Sequence, residues 1–397
     1  MDVLRLREIR VHRLAVPMRV RFEHAAATRS VADPVVVEVQ AEAPYAHLAG
    51  FGETLARPYV TGETPESVAE DVCELFAPPL LEFRAASFPE ALEAIDALPA
   101  LIDGRIVNAA RAGVELALLD LIGKVCRRRA CEVAGWLDLP GFGPPGCLPH
   151  ARYSGIVVGS GWKGAAFLRL QRAFALRDFK LKVAVPGWEQ RLERAARTLK
   201  SDLRRGRATL RVDANGGWSA DEARNAIPLL LATGVSALEQ PLPREQDDEL
   251  AELSRATPLA LVADESLVTQ EDAERLLEQS EVRVFNVRLA KVGGLLPALR
   301  MASSVLRAGR DVQLGCLVGE TSILSAAGIA FLECCPQVRF VEGAFGGFLL
   351  RDDVVRRPVR FGFAGTVAAR KGYGLGVDVQ PAALARLAAV PPRTVRF

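Results

Sequence analysis

Short apolar runs alternate with longer helical stretches from residue 153 onward. Eight runs are expected to be strands: residues 153–158, 179–183, 209–213, 235–239, 260–264, 283–288, 311–316 and 338–342. Such regular alternation is typical of a parallel sheet, because parallel strands are usually joined by a helix. Eight strands with seven helical segments between them predict a closed α/β barrel of the TIM type. An open doubly wound sheet is the alternative that the pattern allows.

The first 130 residues have the pattern of an α+β unit. Residues 3–16 and 33–41 alternate apolar and polar side chains, as the strands of a half-exposed antiparallel sheet do. Helices are expected within residues 65–97 and over residues 107–124, where apolar residues recur at the spacing of an amphipathic helix. A unit of this length is an ordinary domain size.

A long segment, residues 17–32, separates the first two predicted strands and contains His24 and Arg29. Long loops in compact domains are often functional lids. We therefore interpret this segment as a candidate lid, and His24 and Arg29 as candidate substrate-binding residues. A basic hairpin tip with no role in binding is the alternative.

A Pro/Gly-rich break at residues 139–146 is the clearest boundary in the sequence. We therefore expect an N-terminal unit over residues 1–130, a linker over 131–150 and a barrel over 151–355. The length of 397 residues agrees with this division, because it exceeds what one ordinary core accommodates.

The net charge of +2 argues against a nucleic-acid partner. No apolar run reaches the length of a membrane span, and the N-terminus lacks the pattern of a secretory signal. The seven cysteines are scattered without the spacing of a zinc site or a disulfide framework. These features predict a cytoplasmic protein with no membrane partner.

Two lysines, Lys180 and Lys182, lie two residues apart within the second predicted strand of the barrel. Strand side chains alternate between faces, so both lysines point to the same side, with Cα atoms about 6.6 Å apart. At an effective dielectric constant of about 20, two ammonium groups at this distance repel by about 2.5 kcal/mol. Such repulsion lowers the pKa of one lysine and makes it a candidate base near neutral pH. Two solvated surface lysines are the alternative.

Carboxylates end three successive strands of the predicted barrel. They are Asp213, Glu239 and Asp264. In a TIM barrel the active site lies at the C-terminal ends of the strands. Acids in these positions are often helix N-caps, but two of the helices that follow have other predicted caps, Ser219 with Glu222 and Thr269 with Asp272.

Three acids that face one point require a cation between them. Oxygen ligands without a neighbouring histidine favour Mg²⁺. No histidine follows residue 150, so the barrel cannot supply a histidine base.

The motifs around these residues resemble those of the enolase superfamily, and within it the muconate-lactonizing-enzyme subgroup. The similar segments are Phe179-Lys180-Leu181-Lys182-Val183, Val212-Asp213-Ala214-Asn215-Gly216-Gly217-Trp218, Leu238-Glu239-Gln240-Pro241-Leu242 and Ala263-Asp264-Glu265-Ser266-Leu267. The resemblance implies a modified barrel, (β/α)7β, with an α+β capping domain to which the C-terminal segment, residues 356–397, returns. The mandelate-racemase type is disfavoured, because it needs a histidine late in the barrel.

The resemblance also implies roles for the site residues. Asp213, Glu239 and Asp264 would bind Mg²⁺, and Lys182 would be the acid/base. Enolase-superfamily sites combine a Lys or His base with Mg²⁺ that stabilises an ene-diolate. Lys180 would lower the pKa of Lys182 or bind the substrate carboxylate.

The sixth strand departs from the subgroup. Arg288 occupies the position where a lysine usually faces Lys182 across the substrate, and Lys291 follows three residues later. Arginine stays protonated in proteins, so Arg288 is a poor proton acceptor. Two-base epimerisation is therefore disfavoured, whereas elimination or cycloisomerisation with one base is not.

Three further residues are candidates for substrate binding: Asn215, Glu320 and Glu342. Glu320 follows the seventh strand and is equally compatible with a role at a helix N-terminus. Glu342 ends the eighth strand; it is suited to a cationic group of the substrate, and a buried structural acid is the alternative.

The sequence thus predicts a Mg²⁺-dependent lyase or isomerase that removes the α-proton of a small carboxylate. An epimerase of dipeptides or acylated amino acids, using Lys182 with Lys291, is the first alternative. A non-catalytic small-molecule binder is the second. We also expect a homo-oligomer.

Overall fold

The structure is a computed structural model. It describes residues 2–24, 27–139, 142, 152–159, 161–335 and 337–397; of residues 20–24 and 27–29 it describes the backbone alone. The Pro/Gly-rich break at residues 139–146 therefore lies, apart from residues 139 and 142, outside the described residues.

The strands are numbered in chain order. They are β1 (Leu6–Arg13), β2 (Val16–His24), β3 (Ala27–Ala32), β4 (Val35–Ala41), β5 (Ala49–Thr54), β6 (Leu101–Ile102), β7 (Arg105–Ile106), β8 (Gly155–Val157), β9 (Asp178–Lys182), β10 (Thr209–Asp213), β11 (Ala237–Glu239), β12 (Ala260–Ala263), β13 (Val284–Val287), β14 (Asp311–Leu314), β15 (Val338–Val341) and β16 (Arg393–Arg396).

The α-helices are numbered in the same way. They are α1 (Pro58–Thr61), α2 (Pro65–Asp71), α3 (Ala77–Leu80), α4 (Phe88–Asp96), α5 (Asn108–Cys126), α6 (Val133–Leu137), α7 (Gly161–Ala173), α8 (Trp188–Arg204), α9 (Ala220–Ala232), α10 (Asp247–Ala256), α11 (Gln270–Gln279), α12 (Leu289–Val292), α13 (Leu295–Arg307), α14 (Ser322–Cys334), α15 (Gly346–Leu349) and α16 (Pro381–Leu387). None of the helices in the described residues is long and apolar enough to cross a lipid bilayer.

The strands β8 to β15 form one parallel sheet in chain order. A bridge between Tyr153 and Val341 joins its two edges, and Ser154 N donates to Val341 O at 2.9 Å. The predicted barrel of eight strands is therefore confirmed, and the open doubly wound sheet is wrong.

The barrel helices follow from their sequence pattern. In α8, Leu192, Ala195 and Leu199 lie on one face and are buried, while charged residues cover the other face. This spacing makes an amphipathic helix that packs against a sheet.

The N-terminal unit contains an antiparallel sheet in the order β16-β1-β4-β5, so the last strand of the chain pairs with the first. The prediction of a long loop over residues 17–32 is wrong, because β2 and β3 form a hairpin there. The base of the hairpin lies beside the segment that follows β15. Arg19 Nε donates to Leu350 O, and Arg351 N donates to Pro17 O, both at 2.8 Å.

The helix α5 lies between the N-terminal sheet and the barrel. Its residues from Asn108 to Gly123 are all buried, so the predicted helix is present but is not amphipathic. On the sheet side, β5 approaches α5 so closely that a Cβ atom at Gly52 would lie 2.1 Å from Gly113 O. Glycine at position 52 is therefore required by packing.

We predict that Gly52→Ala lowers the free energy of unfolding by about 3 kcal/mol, because the new methyl group forces β5 and α5 apart. Gly135→Ala is the matched control: Gly135 lies within α6, and its added Cβ would meet no atom within 4 Å. The Gly135→Ala substitution should stabilise the helix by about 0.5–1 kcal/mol. Urea unfolding, followed by circular dichroism, measures the free energy of unfolding of both variants. Equal midpoints for the two variants would contradict the prediction.

Candidate active site at the C-terminal ends of the barrel strands

Charged side chains form a row across neighbouring barrel strands. Lys182 on β9 pairs in register with Asp213 on β10, which pairs with Glu239 on β11. Asp264 directly follows β12, and all three acids are buried. Residues in register on parallel strands point to the same face. Glu239 pairs with Val262, and Asp264 lies two residues further on and so on the same face, so the three carboxylates share one end of the barrel.

The neighbouring helices do not use these acids as caps. Ser219 and Glu222 form a reciprocal capping box at α9, and Thr269 and Asp272 form one at α11, as predicted. Asp213 and Asp264 are therefore available for other contacts.

Lys180 lies among three carboxylates. Its Nζ is 3.0 Å from Asp213 Oδ2, 2.8 Å from Glu239 Oε1 and 3.1 Å from Glu342 Oε1. Burial alone would lower the pKa of Lys180, but the three acids outweigh it and raise the pKa above the usual lysine value. Lys180 is therefore a fixed cation.

Lys182 has the opposite electrostatic environment. Its Nζ donates to Asn215 Oδ1 at 2.5 Å and lies 4.0 Å from Asp213 Oδ2. Burial lowers its pKa most; Lys180 and Arg288 lower it further, and Asp213 opposes them. The predicted effect of Lys180 on Lys182 is therefore present but is smaller than the effect of burial.

Two cations contact Asp264. Lys291 Nζ donates to Asp264 O at 2.6 Å and to Asp264 Oδ1 at 2.9 Å, and also to Asn286 O at 2.9 Å. Arg288 donates to Asp264 Oδ2 and lies 3.8 Å from Glu239 Oε1. Lys291 belongs to α12 and is fully buried, and its three ammonium hydrogens all have acceptors within the protein.

Sequence reasoning missed several polar residues inside the barrel. Asn286 Nδ2 donates to Glu239 Oε1 at 3.0 Å, and Gln313 Nε2 donates to Glu239 Oε2 at 3.1 Å. Arg211 is fully buried and donates to Glu342 Oε1. Its position two residues before Asp213, on the same face of β10, was the signal that could have found it.

A pocket lies between the ends of β14 and β15. Glu320, Glu342 and Tyr153 line it together with apolar residues. Glu320 Oε1 accepts from Leu317 N at 2.6 Å, and burial raises the pKa of Glu320 to about 8. Glu342 is already bound by two cations, Lys180 and Arg211, so within this pocket Glu320 is the acid with fewer contacts to cations.

A second acid near Lys182 also escaped the sequence analysis. Asn215 Nδ2 donates to Glu265 Oε1 at 3.3 Å, and burial, with Asp213 and Glu239 nearby, raises the pKa of Glu265 to about 7. Asn215 therefore links Lys182 to Glu265. The side chains of the two candidates from the hairpin, His24 and Arg29, lie outside the described residues.

The acids at the strand ends have the donor chemistry that Mg²⁺ prefers, since carboxylate oxygens are hard ligands. Within the described residues, however, no three Asp, Glu, His or Cys side chains are arranged as ligands of one ion. Lys180 lies between Asp213 and Glu239, and Arg288 contacts Asp264. The residues fit Mg²⁺ by type and by strand position, and the ion would have to replace these contacts with the protein's own cations.

A family model described as "Enolase C-terminal domain-like" matches residues 165–383, more than half of the chain. The chain belongs to the enolase superfamily. It is 32% identical over 337 residues to the L-Ala-D/L-Glu epimerase of Escherichia coli (strain K12), an alignment that covers 85% of this chain and 92% of the relative.

Other relatives carry different activities. The L-Lys-D/L-Arg epimerase of Methylococcus capsulatus is 29% identical over 379 residues, covering 90% of this chain and 98% of the relative. The structure of muconate lactonizing enzyme from Pseudomonas putida superposes with a TM-score of 0.80 at 25% identity, covering 97% of this chain and 99% of that chain. The chain is thus an enzyme of the group that contains epimerases, racemases and cycloisomerases, and members of the superfamily generally use Mg²⁺.

We predict that Asp213→Asn weakens Mg²⁺ binding at least about tenfold, because the amide supplies no negative charge to the ion. Asp221→Asn, which alters an exposed acid on α9, is the matched control and should leave the affinity unchanged. Isothermal titration calorimetry with MgCl₂ measures both variants, and far-UV circular dichroism checks their folding. Equal affinity of Asp213→Asn and the wild type, or full turnover in excess EDTA, would exclude this site.

Proposed function

We propose that the protein is a Mg²⁺-dependent isomerase or lyase that removes the α-proton of a carboxylate substrate with Lys182 as its single base. The observation that supports this most is the contrast between the lysines. Of Lys180, Lys182 and Lys291, only Lys182 combines a lowered pKa with a side chain that is partly exposed, at 28%. A base must be able to lose its proton and reach the substrate.

The proposed metal ligands are Asp213, Glu239 and Asp264. Bound there, Mg²⁺ would neutralise the second negative charge that develops on the substrate carboxylate when the α-proton leaves. Lys180, held among acids, stays protonated and is suited to attract the substrate carboxylate. Asn215 orients Lys182 through the hydrogen bond to its ammonium group.

Arg288 supports chemistry on one face of the substrate. Its guanidinium group contacts Asp264, lies 3.8 Å from Glu239 Oε1 and lowers the pKa of Lys182, so its positive charge acts at the same end of the barrel as the proposed base. Its guanidinium group cannot accept a proton near neutral pH. It can instead stabilise negative charge on the substrate during the reaction.

Lys291 does not restore a second base. Burial lowers the pKa of Lys291 well below the usual lysine value, but its side chain is fully buried, and its Nζ lies within hydrogen-bond distance of three acceptors, two of them on Asp264. We therefore assign it to the support of Asp264. This arrangement favours cycloisomerisation or elimination over inversion at the α-carbon, because inversion needs proton transfer on both faces.

Epimerisation of a dipeptide or an acylated amino acid is the second candidate. It is favoured by the relatives, among which the Escherichia coli and Methylococcus capsulatus proteins are epimerases. A substrate of that kind carries an amide or amino group, which Glu320 in the pocket beside β14 could bind. His24 and Arg29 on the hairpin stay predicted substrate contacts in either case.

Exchange of the α-proton in D₂O distinguishes the candidates. With L-Ala-L-Glu, L-Ala-D-Glu and muconolactone as probes, we expect deuterium to enter an accepted substrate on one face only, as detected by ¹H NMR. Lys182→Ala should abolish exchange. Lys200→Ala, which alters an exposed lysine on α8, is the control and should not.

Arg288→Lys should add slow exchange on the second face, because positively charged neighbours can lower the pKa of a lysine there and leave part of it as the free amine. Exchange of both dipeptides at similar rates by the wild type would refute the one-base proposal and establish the epimerase. Exchange of none of the probes, with binding of one of them, would support a non-catalytic binder.

A further inference from the structure

The N-terminal unit binds the first turn of the barrel helix α13. The first N–H groups of a helix have no partner within the helix. Glu115 on α5 provides acceptors for two of these N–H groups. Its Oε2 accepts from Leu295 N at 2.6 Å, and its Oε1 accepts from Leu296 N at 2.7 Å. The residue before the helix, Gly294, supplies no side-chain cap of its own.

Gly294 makes room for this contact. Its φ of +126° suits glycine, and a Cβ atom there would lie 1.4 Å from Glu115 Oε2. The carboxylate of the N-terminal unit thus occupies the space that a side chain of the barrel would otherwise fill. The two units are fitted to each other at this point.

Two more residues of α5 bind the same segment of the barrel, residues 288–296. Asn108 Nδ2 donates to Lys291 O at 2.9 Å and to Val268 O at 3.0 Å, and Arg111 donates to Gly293 O. Lys291 in turn donates to Asp264. A continuous chain of hydrogen bonds therefore runs from α5 to a proposed ligand of the metal.

The next barrel helix, α14, is bound in the same way by a different element. Glu53 on β5 accepts from Thr321 N at 2.6 Å, from Thr321 Oγ1 at 2.7 Å and from Leu324 N at 2.8 Å. Glu320 immediately precedes Thr321 and lines the pocket beside β14. Glu53 thus holds the backbone next to a residue of the site.

We propose that Glu115 and Glu53 are positioning residues of the active site. Each fixes the start of a helix whose preceding segment carries site residues, Arg288 and Lys291 in one case and Glu320 in the other. The N-terminal unit then sets the geometry of one side of the barrel mouth. The proposal concerns backbone order and does not depend on the identity of the substrate.

A purely stabilising role is the competing explanation, and Asp120 offers a matched control. It lies on the same helix as Glu115 and is equally buried, and its carboxylate also accepts from two backbone N–H groups, those of Phe51 and Leu375, each at 2.9 Å. Those groups do not belong to the barrel helices. Asp120→Asn therefore reports the cost of weakening a buried carboxylate contact without disturbing α13.

The experiment compares amide hydrogen exchange, followed by mass spectrometry, in Glu115→Gln, Glu53→Gln and Asp120→Asn. We expect Glu115→Gln to accelerate exchange about tenfold or more over residues 289–296, and Glu53→Gln to do so over residues 320–326 only. Asp120→Asn should leave both segments as in the wild type. Titration with MgCl₂ should show an affinity about tenfold lower for Glu115→Gln, the lower end of the effect of residues that orient metal ligands, and unchanged for Asp120→Asn.

Exchange over residues 289–296 that is equal in Glu115→Gln and Asp120→Asn would overturn the proposal, as would equal Mg²⁺ affinities in these variants. If Glu115→Gln does not fold, Asn108→Ala is the second variant. It removes the contacts to Lys291 and Val268 and should accelerate amide hydrogen exchange over residues 289–296. If the wild type binds no Mg²⁺, the proposed function fails, whereas the exchange comparison still decides the role of Glu115 and Glu53.

Discussion

Burial of carboxylates at the mouth of the barrel is the constraint on which the rest of the site depends. Asp213, Glu239 and Asp264 are removed from water, and a buried charge is costly unless cations and hydrogen bonds compensate it. The chain supplies this compensation with Lys180 and Arg288, aided by the amides of Asn286 and Gln313, which reach Glu239.

This compensation divides the lysines by role. Lys180 lies among three carboxylates, which raise its pKa and hold it in its charged form. Lys291 also contacts a carboxylate, but burial lowers its pKa well below the usual lysine value, and its side chain is fully buried. Lys182 lies at the edge of the same network, where burial and neighbouring cations disfavour its proton. The proposed base is thus the lysine that combines a lowered pKa with a partly exposed side chain, and catalysis by an amine requires both loss of the proton and access to the substrate.

The sequence predicted the barrel well, because strand and helix periodicities are local properties. The eight strands, the two capping boxes and the row of acids all follow from spacing along the chain. The failures depend on contacts between distant segments. Asn108, Arg111 and Glu115 resemble the solvent face of an amphipathic helix, but they are buried because they bind the barrel.

The strands β2 and β3 were not predicted, although a basic hairpin tip was the alternative to a lid. Apolar residues alternate with polar ones over residues 16–23, so this local signal was present and was overlooked. Arg211 was overlooked because an arginine within an apolar run suggests an exposed position, whereas in the folded chain Glu342, Ser154 and the ring of Phe340 surround it. Partners of this kind are apparent only when the barrel closes.

The role proposed for Arg288 explains why similarity to epimerases does not by itself transfer their reaction. Inversion at an α-carbon moves a proton off one face and onto the other, so each face needs a group that can exchange a proton. Similarity over most of the chain, at about 30% identity, accompanies a common fold, but proton transfer on the second face of the substrate depends on one side chain. A guanidinium group there keeps the positive charge that a lysine would supply and cannot give up its proton near neutral pH. The same fold and the proposed metal ligands are then compatible with reactions in which negative charge on the substrate is stabilised and is then removed by ring closure or by loss of a leaving group.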